Sequence, residues 1–76
     1  MPPLPVISAK KLVLFLLFKG FLFQRQKGSH QRYKHPDGRA ITIPIHGKDT
    51  IKRGLLSGIL NELNISTQEL IDFLNP

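Results

Sequence analysis

The apolar positions of this chain change period from one part of the sequence to the next. In residues 9–19, "AKKLVLFLLFK", Leu12, Phe15 and Leu16 fall at helical spacing, and the run stops at Gly20. Ser8 stands where a cap belongs, because its hydroxyl can accept from the free N–H groups of a first turn. The spacing therefore predicts a helix. A buried strand is the competing reading of so short an apolar run, and the cap and the stop favour the helix. Leu14, Leu17 and Phe18 lie off the stripe, so this helix is apolar nearly all round. A chain of 76 residues can hardly bury both sides of it. Part of the helix is expected to meet a partner, or a second copy of the chain, through Leu14, Leu17 and Phe18.

Beyond Gly20 the pattern shortens to that of strands. Residues 21–27 and 30–35 read as two strands joined by a tight Gly28-Ser29 connection, and residues 39–45 as a third, rich in β-branched side chains. Pro36-Asp37-Gly38 fits a three-residue hairpin loop, with Pro setting φ, Asp closing the turn and Gly taking the left-handed position. Pro44 cannot donate to a ladder and belongs at a strand end or an edge. If Pro36-Asp37-Gly38 is the loop, His35 pairs with Arg39, Tyr33 with Ile41, and Gln31 with Ile43. That face suits a core. The opposite face then pairs Lys34 with Ala40, Arg32 with Thr42, and His30 with Pro44, so His30, Arg32 and Lys34 form a polar row. A slip of one residue would exchange the two faces.

After the segment "HGKDT", Asp49 or Thr50 can cap a helix over about residues 51–62, with Leu55, Ile59, Leu60 and Leu63 facing inward. "STQE" at 66–69 is a capping box opening a short last helix whose apolar side holds Leu70, Ile71, Phe73 and Leu74. The order is α-β-β-β-α-α, an α+β fold with helices on one face of a three-stranded antiparallel sheet. One domain accounts for residues 1–76, with residues 1–7, which open "MPPLP", expected to be a loose segment.

Charge sharpens this picture. The formal net charge is +6, and it is unevenly placed. Residues 1–53 carry eleven Lys/Arg against two acids, a net of +9, and residues 54–76 carry three acids and no base. A basic body of this kind suits a polyanion, nucleic acid above all; charge for solubility alone is the plainer alternative. There is no cysteine, so disulfides and thiolate metal sites are excluded, and a reducing, cytoplasmic location is expected. The apolar run at 12–18 is too short to span a bilayer, which takes about 20 residues, and no signal-peptide cleavage pattern follows it. The five acids are scattered, no His-Glu pair stands at helical metal-ligand spacing and no glycine-rich phosphate loop is present. No cofactor or metal is therefore expected.

The motifs taken together are familiar. Gly20-Phe21, "RQKGSH" at 25–30, "YKHPDGR" at 33–39, "IPIH" at 43–46 and the "LLSGIL" helix follow one another in the order and spacing of the HicA mRNA-interferase toxins, and the chain resembles that family from about residue 8 to 74. The resemblance implies a double-stranded-RNA-binding-domain-like fold, metal-independent cleavage of mRNA that needs the histidine of the Gly-Ser-His segment, here His30, and neutralisation by a HicB-type antitoxin. The chain departs from the family at Leu14, Leu17 and Phe18, where outward polar residues are usual.

That implied chemistry agrees with the residue types present. RNA carries its own nucleophile, the 2′-hydroxyl. Cleavage then needs a base for that proton, an acid for the leaving 5′-oxygen and positive charge for the phosphorane. Histidine suits the first two tasks because its unperturbed pKa is about 6.5, and Lys and Arg suit the third. His30 is the candidate catalytic residue, as base or as acid. Arg25, Lys27, Arg32 and Lys34 are candidate RNA-binding residues, although each alone also reads as a solvated surface cation. Gly28 would allow close approach of the backbone to phosphate, and Ser29 could support His30. His35 reads as a turn-flanking residue, Tyr33 as core, and His46 as a histidine that alignment of the strands could bring near His30. Two other readings remain: an RNA- or DNA-binding module without catalysis, and a membrane-surface segment built on Lys10, Lys11, the apolar run and Lys19.

Overall fold

The computed structural model of the chain describes residues 3–45 and 50–76. Its elements run β1 (Ile7–Ser8), α1 (Ala9–Phe18), β2 (Leu22–Lys27), β3 (His30–Lys34), β4 (Ala40–Pro44), β5 (Thr50–Ile51), α2 (Arg53–Leu63) and α3 (Thr67–Leu74). The strands β2, β3 and β4 form an antiparallel sheet in that order, and β1 and β5 form a separate two-stranded ribbon. The α+β class and the three-stranded sheet agree with the expectation from the sequence.

Helix α1 forms for the reasons its sequence suggests. Ser8 Oγ accepts from the Lys11 N–H at 3.0 Å, and Ala9, Leu12, Phe15 and Leu16 are buried. At its other end Gly20, at φ +94°, closes a Schellman turn: the Gly20 N–H donates to the Leu17 carbonyl and the Phe21 N–H to the Leu16 carbonyl. A Cβ at Gly20 would also stand 3.0 Å from His35 Nε2, so both the backbone angle and the space call for glycine.

The hairpin register is the expected one. Lys34 pairs with Ala40, Tyr33 with Ile41, Arg32 with Thr42, Gln31 with Ile43 and His30 with Pro44. The His35 N–H donates to the Arg39 carbonyl and the Gly38 N–H to the His35 carbonyl, closing the loop. Tyr33, Ile41 and Ile43 therefore enter the core, where Phe21, Leu12, Phe15, Leu16 and the inner side of α2 meet them. Burial raises the Tyr33 phenol above its ordinary pKa.

Three expectations are corrected. Residues 1–7 were expected to be loose. Ile7 is instead buried and paired with Ile51, and the Leu4 carbonyl accepts from Arg53 Nε at 2.7 Å. Thr50 does not cap α2. It lies in β5 opposite Ser8, and α2 begins after Lys52; Asp49 lies outside the described residues. Leu55 does not face inward. The buried residues of α2 are Leu56, Ile59, Leu60 and Leu63, an i, i+3, i+4, i+7 set, while Leu55 is 46 % exposed. Ile59, Leu60 and Leu63 face inward as expected, and helical spacing from them selects Leu56 rather than Leu55.

The acidic end of the chain is tied back to its basic start. Ser66 and Glu69 form the capping box of α3, and Lys19 Nζ donates to Glu69 Oε1 at 2.6 Å. The Lys19 ammonium, and after it the Ser66 backbone N–H, lower the Glu69 carboxyl from its ordinary 4.5 to about 2. Arg39 acts similarly on α2, donating from Nη1 to the Leu63 carbonyl at 2.6 Å while its guanidinium lies over the Phe21 ring.

Two predictions follow from this packing. In urea denaturation, Leu56→Ala should cost about 2–5 kcal/mol and Leu55→Ala no more than about 0.5 kcal/mol; equal losses would contradict the assigned helix face. Because the Glu69 pKa is lowered on folding, its ion pair and cap stabilise the fold above about pH 4.5 and are lost as pH falls toward about 2. The Tm gap between the parent chain and Glu69→Gln should therefore be full at neutral pH and close in that acid window.

Candidate nucleic-acid interface

The helices cover one face of the sheet, and the other face carries the row expected from the hairpin. His30 heads β3 and is exposed, with Arg32 partly exposed and Lys34 exposed beyond it. The alternation that buries Tyr33 turns these three side chains outward.

The residues of β2 join them through a feature that simple alternation does not contain. Phe23 pairs with Tyr33, but Arg25, not Gln24, is the next residue in register, opposite Arg32; the extra residue is a bulge at Gln24. Without it Arg25 would oppose Gln31 on the core side. With it Arg25 stands across from Arg32, and Lys27 across from His30. The bulge also supplies a contact, since Arg32 Nε donates to Gln24 Oε1 at 3.1 Å and Nη1 to Thr42 Oγ1 at 3.2 Å. Arg32 is thereby held across all three strands.

The connection between Lys27 and His30 is a two-residue turn. Gly28 has φ +58° and Ser29 does not share the positive φ, the backbone pattern in which glycine belongs at the first central position. A chain of side-chain bonds runs from the core to this turn. Tyr33 Oη donates to Gln31 Oε1 at 2.8 Å, Gln31 Nε2 to Gln26 Oε1 at 3.1 Å, and Gln26 Nε2 to the Gly28 carbonyl at 2.9 Å. On the other side the Ile45 N–H donates to the Ser29 carbonyl at 2.6 Å. The turn that carries His30 is thus held from both neighbouring strands.

Arg25, Lys27, Gly28, His30, Arg32 and Thr42 line one open depression of about 600 Å³. Four cationic or imidazole side chains, a glycine with open space where a Cβ would stand and a hydroxyl converge there, and among the described residues no carboxylate lines it. By its charge such a surface suits a polyanion, and it holds an imidazole beside the cations. Lys34 lies on the same face but lines a separate depression with Leu22. Ser29 meets its neighbours through its carbonyl. His46 lies outside the described residues. Thr42, Gln24, Gln26 and Gln31 were not among the expected site residues. Thr42 was in reach, since the hairpin register already set it opposite Arg32, whereas the role of Gln24 depends on a bulge without a clear signal in the sequence.

His35 is a different kind of residue. Its Nε2 lies 3.1 Å from the Lys19 carbonyl, which can only accept, so Nε2 donates there, and its Nδ1 lies 3.1 Å from both the backbone nitrogen and Oδ2 of Asp37. Its ring packs edge-on to Phe21. Arg39, bonded to the same Asp37, lowers that carboxyl below its ordinary pKa. His35 joins the end of α1 to the hairpin loop.

A second surface lies on α1. Leu14 and Leu17 are 46 % and 45 % exposed and Phe18 is 70 % exposed, although its ring also meets Phe73 of α3 at 5.0 Å. The outward direction expected for these three is the one observed. No helix among the described residues is long and apolar enough to cross a membrane. Replacing Leu14 and Leu17 together by Lys should raise the solubility of the chain, measured as the concentration at which light scattering appears, and leave its Tm within a few degrees, since neither side chain is buried.

An arylacetonitrilase of Macrophomina phaseolina (strain MS6) is 40 % identical over 47 residues, which are 62 % of this chain but 14 % of that protein. The chain therefore spans only a small part of the length of this relative. The family model described as the HicA toxin of bacterial toxin–antitoxin systems matches residues 9–65, from the first turn of α1 past the end of α2 and through every strand of the three-stranded sheet. With that match over most of its length, and with the α+β architecture of the double-stranded-RNA-binding-like fold, the chain belongs to the HicA toxin family.

Proposed function

We propose that this chain is the toxin of a type II toxin–antitoxin pair, acting in the cytoplasm as an mRNA endonuclease and held in check by a HicB-type antitoxin. The observation that carries this reading is the position of His30 in a depression whose other charged lining residues are Arg25, Lys27 and Arg32.

The reaction needs little besides these groups. A phosphodiester seated over Arg25, Lys27 and Arg32 has its negative charge met by three cations, and Arg32 is already oriented by Gln24 and Thr42. The ribose 2′-oxygen attacks its own phosphorus as its proton departs. The bond from phosphorus to the 5′-oxygen breaks, and that oxygen is protonated. A 2′,3′-cyclic phosphate and a 5′-hydroxyl remain. His30 serves either as the base that takes the first proton or as the acid that gives the second. The nucleophile belongs to the substrate and the phosphorane charge is met by side chains, so the reading invokes no metal. Gly28, with nothing among the described residues within 4 Å of where a Cβ would stand, leaves room for the phosphate at the turn.

His30→Ala should abolish RNA cleavage while changing RNA affinity by only a few-fold. The parent chain should cut RNA in the presence of a chelator. For binding, log Kd against log salt should lose a slope of about 0.7 on Lys27→Ala, the loss of one phosphate contact on a single strand. If His30→Ala still cuts, the catalytic assignment fails. If the parent chain binds RNA and never cuts it, the chain is a binding module.

A further inference from the structure

The outer face of the sheet continues past the cationic depression. Next along the hairpin from Arg25 and Arg32, beyond the bulge, Leu22 pairs with Lys34. There a second open depression of about 260 Å³ is lined by Leu22, Phe23, Gln24, Lys34, His35 and Pro36. Its chemistry differs from that of the first. Leu22 is 63 % exposed, on the same face as Arg25, Lys27, Arg32 and Lys34. Pro36 adds a flat ring and Lys34 an alkyl stem. A single exposed leucine is unremarkable; one that shares a concave site with these neighbours, directly beside a phosphate-attracting surface, is better placed than chance exposure requires.

Gln24 stands between the two depressions. Its Oε1 accepts from Arg32, which fixes the amide so that Nε2 is the donor end, and among the described residues Nε2 has no hydrogen-bond partner. The bulge residue thus orients the arginine and also lines the second depression.

We infer that this second depression is a nucleobase subsite, seating one unpaired base of a single-stranded RNA whose phosphates lie over Arg25, Lys27 and Arg32. The inference rests on RNA being the ligand, as proposed above, and specifies its form. Leu22, Pro36 and the Lys34 stem offer apolar surface to the base faces, and Gln24 offers donors to a carbonyl oxygen or ring nitrogen on the base edge. The Lys34 ammonium meets the backbone between the two sites. Four residues of strand separate His30 from Lys34, about 13 Å, so the seated base lies about two nucleotides from the phosphate at His30. A base in a duplex has its faces stacked and its edge paired and cannot enter. The site therefore selects single strands, although the fold resembles one that binds duplexes. An apolar side chain of a protein partner is the other occupant that such a surface could take.

The test uses a short single-stranded RNA oligonucleotide and a set in which each base in turn is removed to leave an abasic ribose. Binding is measured with the full chain carrying His30→Ala, to prevent turnover. Removal of the base at one position should weaken binding roughly fivefold or more. Leu22→Ala should weaken binding of the intact oligonucleotide by a similar factor and cause no further loss on the oligonucleotide abasic at that position. Leu22→Trp should tighten the intact oligonucleotide alone. Equal losses on intact and abasic RNA would make Leu22 merely structural and overturn the subsite. So would unchanged RNA affinity in Leu22→Ala, and a loss confined to binding of a protein partner would assign the surface to that partner. If the parent chain binds no RNA at all, the proposed function falls with the subsite. If it binds and cuts RNA with no abasic position mattering, only the subsite falls.

Discussion

The pairing of Tyr33 with Ile41 is the constraint on which the rest of the molecule depends. Side chains of a strand alternate with a period of two, so one pair placed in the core determines the direction of every other residue in the hairpin. Tyr33, Ile41 and Ile43 give α1 and α2 an apolar surface to cover. The same register leaves His30, Arg32 and Lys34 on the uncovered face. The buried face and the basic face are two consequences of one register, and a slip would put cations into the core and isoleucines into water.

The hairpin provides half of the basic surface. The other half comes from β2, an edge strand with every residue exposed, and there the bulge at Gln24 resets the alternation. Phe23 stays on the core side against the edge of Tyr33, and Arg25 and Lys27 nevertheless reach the outer face. The turn that follows is held by the chain from Tyr33 through Gln31 and Gln26 to the Gly28 carbonyl. The position of His30 is thereby linked to the packing of the core through bonds on the inner side of the sheet, leaving the outer side free. His35 does comparable structural work at the far end of the hairpin, between the Lys19 carbonyl and Asp37.

The apolar side of α1 stands apart from this system. Leu14, Leu17 and Phe18 face away from the stripe that packs on the sheet, so an exposed apolar surface and a basic surface occupy different parts of one small domain. The Lys19–Glu69 pair and the Phe15 and Phe18 contacts to Phe73 fasten α3 against the same helix.

Much of this was legible in the residues alone. The Ser8 cap, the Gly20 stop, the loop Pro36-Asp37-Gly38 and the Ser66–Glu69 box are local signals, each acting over a few residues, and local signals survive into the fold. The hairpin register follows from them, and with it the outward direction of His30, Arg32 and Lys34. Position along α2 was less secure: Leu55 and Leu56 are adjacent leucines, and it is the i, i+3, i+4, i+7 set completed by Ile59, Leu60 and Leu63 that selects Leu56. The start of the helix is a separate matter, decided by the β1–β5 ribbon, which holds Thr50 and Ile51 in strand. The burial of Ile7 has the same origin, since a two-residue strand has no period to read and exists only because Ile51 lies opposite. The bulge at Gln24 is likewise a property of the pair β2–β3 rather than of β2. The elements and the hairpin faces could be read along the chain, because they rest on near neighbours; His30 as candidate catalyst came from the resemblance to the HicA toxins, since one histidine in a basic strand reads first as a solvated residue. That Arg25 and Lys27 share a depression with His30 is a tertiary fact, because it depends on the bulge at Gln24 and so on which residue of β2 stands opposite which residue of β3.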